Sequence, residues 1–172
     1  MVSWLAYGYV RLLLILEILL FTASLLLHVC VILGARAPAQ YGLMLFGGTV
    51  AVGIPTAPFI KDSFRWVDQI KSCPKWMWKG ALMLGIYGLS TIFLDVIFAL
   101  GDSSNQWPLV TSGFPLGFDA MYLCILYSVL RLGYLDEPEV IKRVGHSLIL
   151  VGLGVTVFLA GRAGYLHHPE HH

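Results

Sequence analysis

Charged residues are scarce in this chain. Lys, Arg, Asp and Glu make up 12% of its 172 residues, about half the share of roughly 25% that soluble globular domains carry. The net charge of +1 excludes the concentrated basic face that nucleic-acid binding requires. Hydrophobic residues reach 58% and the mean hydropathy is +0.77. The composition therefore predicts an integral membrane protein that lies in the lipid bilayer and binds no nucleic acid.

Catalytic motifs are also absent from the sequence. There is no Gly-rich phosphate loop, no Gly-x-Ser-x-Gly elbow, no His-Glu-x-x-His and no Cys-x-x-Cys pair, so we expect a non-enzymatic protein. The absence of Cys-x-x-Cys-His excludes covalent haem c. Cys30, Cys73 and Cys124 are predicted to lie at different levels or faces, and no disulfide is expected.

Five apolar stretches are long enough to cross a bilayer, which takes about 20 residues in a helix. The predicted fold is all-α, with the whole chain (1–172) forming one transmembrane domain. The predicted spans cover about residues 12–34, 40–60, 79–100, 113–133 and 144–164.

Positive charges orient these spans, because Lys and Arg collect on the inner side of a membrane. Nine of the eleven Lys and Arg residues would lie inside, and only Arg36 and Arg162 outside. The N-terminus is therefore predicted inside and the C-terminus outside. The nine inner residues are Arg11, Lys61, Arg65, Lys71, Lys75, Lys79, Arg131, Lys142 and Arg143.

The connection 61–78 is predicted to contain a short amphipathic helix on the inner surface. Phe64, Val67 and Ile70 would share its apolar face, and Pro74 would close it. In the second span, Pro55 and Pro58 are expected to kink or end the helix.

Ionisable residues inside the spans are the candidates for function, since each costs about 2.5–3.5 kcal/mol at mid-span. His28, Asp95 and Asp119 each lie about six residues from an outer span end, roughly 9 Å below the outer surface. At one depth they would suit a divalent metal, a shared proton or a small cationic ligand. The alternatives are a structural His–Asp hydrogen bond and no contact among the three side chains.

Glu17 is predicted nearer the inner side, with Tyr127 or His146 as its partner. It would form a structural hydrogen bond or act in a proton relay with His146. A haem b held by two histidines is excluded, because His28 and His146 would differ in depth by on the order of 15 Å.

The C-terminal tail is a weaker metal-site candidate. Four histidines lie within its last six residues, His167, His168, His171 and His172, and such a group can coordinate a transition metal.

One segment carries a resemblance. Cys73-Pro74-Lys75-Trp76-Met77, followed by a span, Gly113-Phe114 and the stretch 122–128 (YLCILYS), resembles small uncharacterised bacterial polytopic membrane proteins with a Cys-Pro-x-Trp-Met loop. Those proteins carry a His-containing stretch where this chain has residues 117–121 (GFDAM). The resemblance implies a multi-pass protein of the bacterial inner membrane and no particular activity.

The sequence leads to three functional hypotheses. The first is a non-catalytic subunit or assembly partner of a larger membrane complex, with other membrane subunits as its partners. The second is a small transporter or a metal- or proton-binding membrane protein that uses His28, Asp95 and Asp119. The third is a haem- or quinone-contacting subunit of a membrane oxidoreductase.

Overall fold

The computed structural model describes residues 2–35, 39–60, 66–99 and 107–166, and side-chain surroundings for 3–35, 40–60, 66–93 and 112–157. These residues are helical and contain no strand, so the predicted all-α class is confirmed. The elements are α1 (Val2–Ile32), α2 (Ala39–Thr56), a 3₁₀ turn (Ala57–Phe59), α3 (Trp66–Lys71), α4 (Lys75–Ala99), α5 (Trp107–Arg131) and α6 (Glu137–Leu166).

Four helices of the described chain are long and apolar enough to cross a membrane. They comprise Ser3–Ile32, Gln40–Phe59, Ser112–Arg131 and Glu137–Val157, which correspond to four of the five predicted spans. The remaining predicted span, 79–100, falls largely within α4, which has 25 residues. The protein is therefore a helical bundle with several helices suited to a membrane.

The helices begin earlier than the apolar stretches do. α1 begins at Val2 and α6 at Glu137, whereas the predicted spans begin near 12 and 144. Asp136 caps α6, since its side chain accepts a hydrogen bond from the Glu139 backbone N–H at 3.2 Å. Lys142 and Arg143 therefore lie in the first turns of α6, which corrects their predicted place in a connecting loop.

Two helices end at glycines with left-handed backbone. Gly34 follows α1 with φ of 85°, and Gly133 follows α5 with φ of 59°. Glycine adopts this conformation without the steric cost that a Cβ would add.

α5 is the central helix, in contact with α1, α2, α3 and α4. Its approach to α4 is the closest, because glycines face each other there. A Cβ built on Gly117 would lie 2.8 Å from the Gly85 Cα, and one on Gly88 would lie 3.2 Å from the Gly113 carbonyl oxygen. The backbones of α4 and α5 thus touch directly, as small residues permit in membrane bundles.

α2 ends at its prolines, as predicted, and other helices bind the carbonyl groups that are left free where it ends. Arg143 of α6 donates from Nη1 to the carbonyls of Pro58 and Ile60, and the buried Gln69 of α3 donates from Nε2 to the Phe59 carbonyl at 2.8 Å. Unpaired backbone carbonyls are costly in a membrane, so these bonds stabilise the irregular end of α2.

The predicted inner-loop helix is present as α3, which has only six residues. Ile70 is buried and Val67 is exposed, so its apolar face is narrower than expected. Phe64 lies outside the described residues.

Candidate functional site: a buried carboxyl pair

Two acidic side chains meet in the interior of the bundle. Glu17 of α1 and Asp119 of α5 are both completely buried, and their carboxyl groups are close enough to interact directly. They lie on two helices with an extensive mutual interface. We call Glu17 and Asp119 the carboxyl pair.

The lengths of the helices explain why these two residues meet. Glu17 is the middle residue of α1 (Val2–Ile32), and Asp119 is the middle residue of α5 (Trp107–Arg131). Two packed helices that cross the same bilayer bring their midpoints to about the same depth. Glu17 and Asp119 therefore meet because of where α1 and α5 begin and end.

Hydroxyl groups surround the carboxyl pair. Ser24 of α1 and Thr49 of α2 stand beside Asp119, and both are buried. The Thr49 hydroxyl donates a hydrogen bond to the Leu45 carbonyl at 3.1 Å. Although these groups are neighbours, none of the four carboxyl oxygens, nor Ser24 Oγ, forms a hydrogen bond of ordinary geometry with the described residues.

No cation compensates the carboxyl pair within the described chain, where neither carboxyl forms an ion pair. Buried charges without a partner cost several kcal/mol each. Two adjacent carboxylates are worse, because they also repel each other. A proton held between the two carboxyls removes one charge and supplies the missing hydrogen-bond donor.

Tyr122 forms one wall of this region. Its ring packs so closely against α2 that a Cβ built on Gly53 would lie 2.7 Å from the phenol oxygen. The phenol is also close enough to both carboxyls to interact with them electrostatically. Tyr122 also lines a cavity of about 410 Å³. That cavity is lined by Ala57, Ile60, Trp66, Phe118, Met121 and Tyr122.

His28 occupies a separate polar site on the same face of α1. Its Nε2 is 2.6 Å from the Tyr87 hydroxyl of α4, and its Nδ1 is 2.9 Å from Ser112 Oγ of α5. Both ring nitrogens are thus engaged by neutral hydroxyl groups. The imidazole links α1, α4 and α5.

The sequence predicted one depth for His28 and Asp119, and the structure places them at different depths. Ser112, the partner of His28, precedes Asp119 by seven residues of α5, or about 10 Å along the axis. Asp119 therefore lies two turns deeper than His28. The Asp95 side chain and the tail residues His167, His168, His171 and His172 lie outside the described side chains.

A divalent metal centre finds no support in the described side chains, where no three His, Cys, Asp or Glu residues are grouped to hold a metal ion. The partner predicted for Glu17 is also corrected. His146 is exposed on α6 and Tyr127 is half-buried, whereas Asp119 is the residue that Glu17 meets.

Two cysteines lie closer together than the sequence suggested. The buried Cys73 donates from Sγ to the Cys124 carbonyl at 3.0 Å, and both are free thiols. The Cys124 thiol lowers the pKa of Cys73, although burial opposes this effect. The contact holds the segment before α4 against α5.

Comparison of the chain with protein-family models, with curated proteins and with solved structures found no match. The site is therefore interpreted from its own geometry.

Proposed function

We propose that this chain is a proton-binding membrane protein whose activity depends on a proton shared by Glu17 and Asp119. The observation that carries the proposal is the contact of two fully buried carboxyl groups that have neither a cation nor an ordinary hydrogen-bond donor among the described residues. The sequence hypothesis of a transporter or proton-binding protein relied on His28, Asp95 and Asp119. The present proposal keeps Asp119 and assigns the role to Glu17 and Asp119.

Polar groups in a bilayer interior are expensive, so they commonly mark ion pathways or proton relays. A purely structural pair would be satisfied by its surroundings, as His28 is by Tyr87 and Ser112. The carboxyl pair is not satisfied in this way. A proton shared by the two carboxyls would supply a hydrogen-bond donor between them and remove one of the two negative charges.

Infrared spectroscopy of the full chain in lipid tests this proposal. We expect the wild-type protein to show the carbonyl band of a buried protonated carboxylic acid that disappears at alkaline pH. Glu17→Gln and Asp119→Asn should each remove or shift this band. Glu137→Gln is the matched control, because Glu137 is an exposed carboxyl at the start of α6, and its spectrum should keep the band.

Two results would contradict the proposal. One is a wild-type spectrum without a protonated carboxyl that changes with pH. The other is a band that millimolar sodium removes at constant pH and that a change of pH does not remove. Sodium is the relevant ion because four carboxyl oxygens with two hydroxyls also suit a small hard cation.

The five-span arrangement, with the N-terminus inside and the C-terminus outside, is part of the proposal. α4 would provide the fifth span, and the excess of Lys and Arg on one side supports the orientation. The bacterial inner membrane remains the proposed location, on the sequence resemblance alone.

A role as a subunit or assembly partner is a second proposal, favoured by α6. Every residue from 148 to 157 is exposed, whereas the exposed residues of α1 are interrupted by buried ones. Gly152 and Gly154 have open space around them, as small residues have before another helix packs on them. The proposed occupant is a helix of another membrane subunit.

A further inference from the structure

We propose that two adjoining cavities along α5 form a binding site for an isoprenoid quinone. The third hypothesis from the sequence included contact with a quinone but named no residues for it, and these cavities supply them. Quinone binding here goes beyond the proposed proton binding and does not depend on it. Three features of the walls select the ligand: hydrogen-bond donors, a row of aromatic rings and an apolar side at the bundle surface.

The two cavities share part of their walls. The larger, of about 410 Å³, is lined by the turn that follows α2, by α3 and by α5, and the smaller, of about 200 Å³, by α3, α4 and α5. Trp66, Phe118 and Met121 line both cavities. The larger one alone lies within the range of about 300–1,000 Å³ that small-molecule sites have, and the smaller one extends this space along α5.

Two residues of the larger cavity carry a hydrogen-bond donor on an otherwise apolar wall. They are Tyr122 of α5, with its hydroxyl, and Trp66 of α3, with its indole N–H. Neither donor forms a hydrogen bond with another described residue. A ligand with two acceptors on an apolar frame complements such a wall, and a quinone ring has two carbonyl oxygens that accept hydrogen bonds.

A row of aromatic rings runs along both cavities. Phe114, Phe118 and Tyr122 are spaced by four residues, which places them on one face of α5. Their ring centroids are 4.9 Å apart in the first pair and 6.4 Å apart in the second. Aromatic rings pack favourably on other flat π systems. A quinone ring offers this contact, whereas the saturated chain of a phospholipid does not.

The smaller cavity lies at the surface of the bundle. Leu82, Ile86 and Leu89 of α4 line it, and all three are exposed. On the proposed five-span arrangement, this surface of α4 faces lipid. A ligand that is dissolved in the bilayer can therefore enter from the side of the bundle, as an isoprenoid quinone would.

The donors and the apolar walls lie at opposite ends of the site. Tyr122 and Phe114 are eight residues apart on α5, or about 12 Å along the axis. The quinone ring would bind at the Tyr122 end, and its isoprenoid tail would lie toward Phe114. Gly85 of α4 lines the smaller cavity, and a Cβ built on it meets nothing within 4 Å, so the tail has room there.

Equilibrium dialysis of the full chain in lipid nanodiscs tests the inference. The probe is a benzoquinone with two isoprene units, and empty nanodiscs measure its partition into lipid alone. We expect saturable binding to the protein above that partition. The same prenyl tail on a benzene ring without carbonyl groups should bind at least about tenfold more weakly, because it leaves both donors unpaired.

Gly85→Leu should abolish the saturable binding, because its side chain would fill the smaller cavity. Gly80→Leu is the matched control and should bind as the wild type does. Gly80 lies on the same helix and has equally open surroundings, but it lines neither cavity. Tyr122→Phe keeps the ring and removes the hydroxyl, and it should weaken binding about threefold to tenfold, the range of one hydrogen bond.

Three results would overturn the inference. The first is wild-type binding that does not exceed the partition into empty nanodiscs, and the second is equal binding by folded Gly85→Leu and Gly80→Leu. The third is equal binding of the quinone and its carbonyl-free analogue, which would mean that the site holds a lipid chain. The analogue and Tyr122→Phe decide the matter if Gly85→Leu does not fold. None of these results bears on the proton shared by Glu17 and Asp119.

Discussion

Polar residues in this bundle fall into satisfied and unsatisfied groups, and the difference assigns their roles. His28 has a hydroxyl partner for each ring nitrogen, and Ser147 donates to the Pro55 carbonyl at 2.6 Å. Such bonds join helices. Glu17 and Asp119 lack such partners among the described residues, and this difference is the reason for proposing that they share a proton.

A shared proton makes stability depend on pH. On the proposed function, the folded chain would hold a proton that the exposed carboxyls of the unfolded chain release above about pH 4.3. The free energy of unfolding should therefore fall as pH rises above that value, by about 1.4 kcal/mol per pH unit for one proton, until the pair itself is deprotonated. The measurement is unfolding of detergent-solubilised protein over a pH series.

The double variant Glu17→Gln with Asp119→Asn should lack this dependence, because its amides donate hydrogen bonds at every pH. Glu137→Gln should keep it. An equal slope in the wild type and the double variant would show that other groups cause the pH dependence.

Residue depth was the part of the site that the sequence could not provide. Counted from the apolar stretches 12–34 and 113–133, Glu17 and Asp119 lie near opposite sides of the membrane. The helices extend beyond those stretches at their N-terminal ends, and in α1 (Val2–Ile32) and α5 (Trp107–Arg131) both residues are central. Hydropathy locates the hydrocarbon-length core of a span, while caps and polar turns set its ends.

Helix packing depends on single glycines where α4 and α5 touch. Gly117→Ala would place a Cβ 2.8 Å from the Gly85 Cα, and backbone cannot move aside as a side chain can. We expect a loss of about 1–3 kcal/mol in the free energy of unfolding, as for other overpacked cores. Reversible unfolding in mixed micelles would measure it.

Gly85→Ala is the control for this prediction. A Cβ on Gly85 meets nothing within 4 Å, so this variant should be neutral or slightly more stable, as alanine is the better helix former. Equal losses in the two variants would mean that the close contact is not what Gly117 provides.

The presence of the helices could be predicted from the sequence, because a chain in lipid must pair its own backbone groups and does so in helices. The end of α2 was predicted from Pro55 and Pro58, because proline lacks the backbone N–H that the interior of a helix requires. The roles of Arg143 and Gln69 at that end were not predicted, since they depend on how α3 and α6 pack against the carbonyls left free there.

At the scale of the whole molecule, the exposed segment 148–157 of α6 bears on whether the chain acts alone. If another subunit packs there, the protein released from native membranes by a mild detergent should migrate well above its 19.0 kDa. Gly152→Leu should reduce that size. Gly47→Leu should not, although Gly47 of α2 has equally open surroundings.

Native mass measurement would decide this question. A wild-type chain that migrates as a monomer would contradict the subunit proposal, and so would identical sizes for the two leucine variants. The proton-binding proposal would be unaffected by either result.

The contact between Gly85 and Gly117 also limits how the bundle can move. Because their backbones touch, we expect α4 and α5 to move together. A rearrangement that admits water to Glu17 and Asp119 would then move α1 or α2 away from α5, because Glu17 lies on α1 and Thr49 of α2 stands beside Asp119.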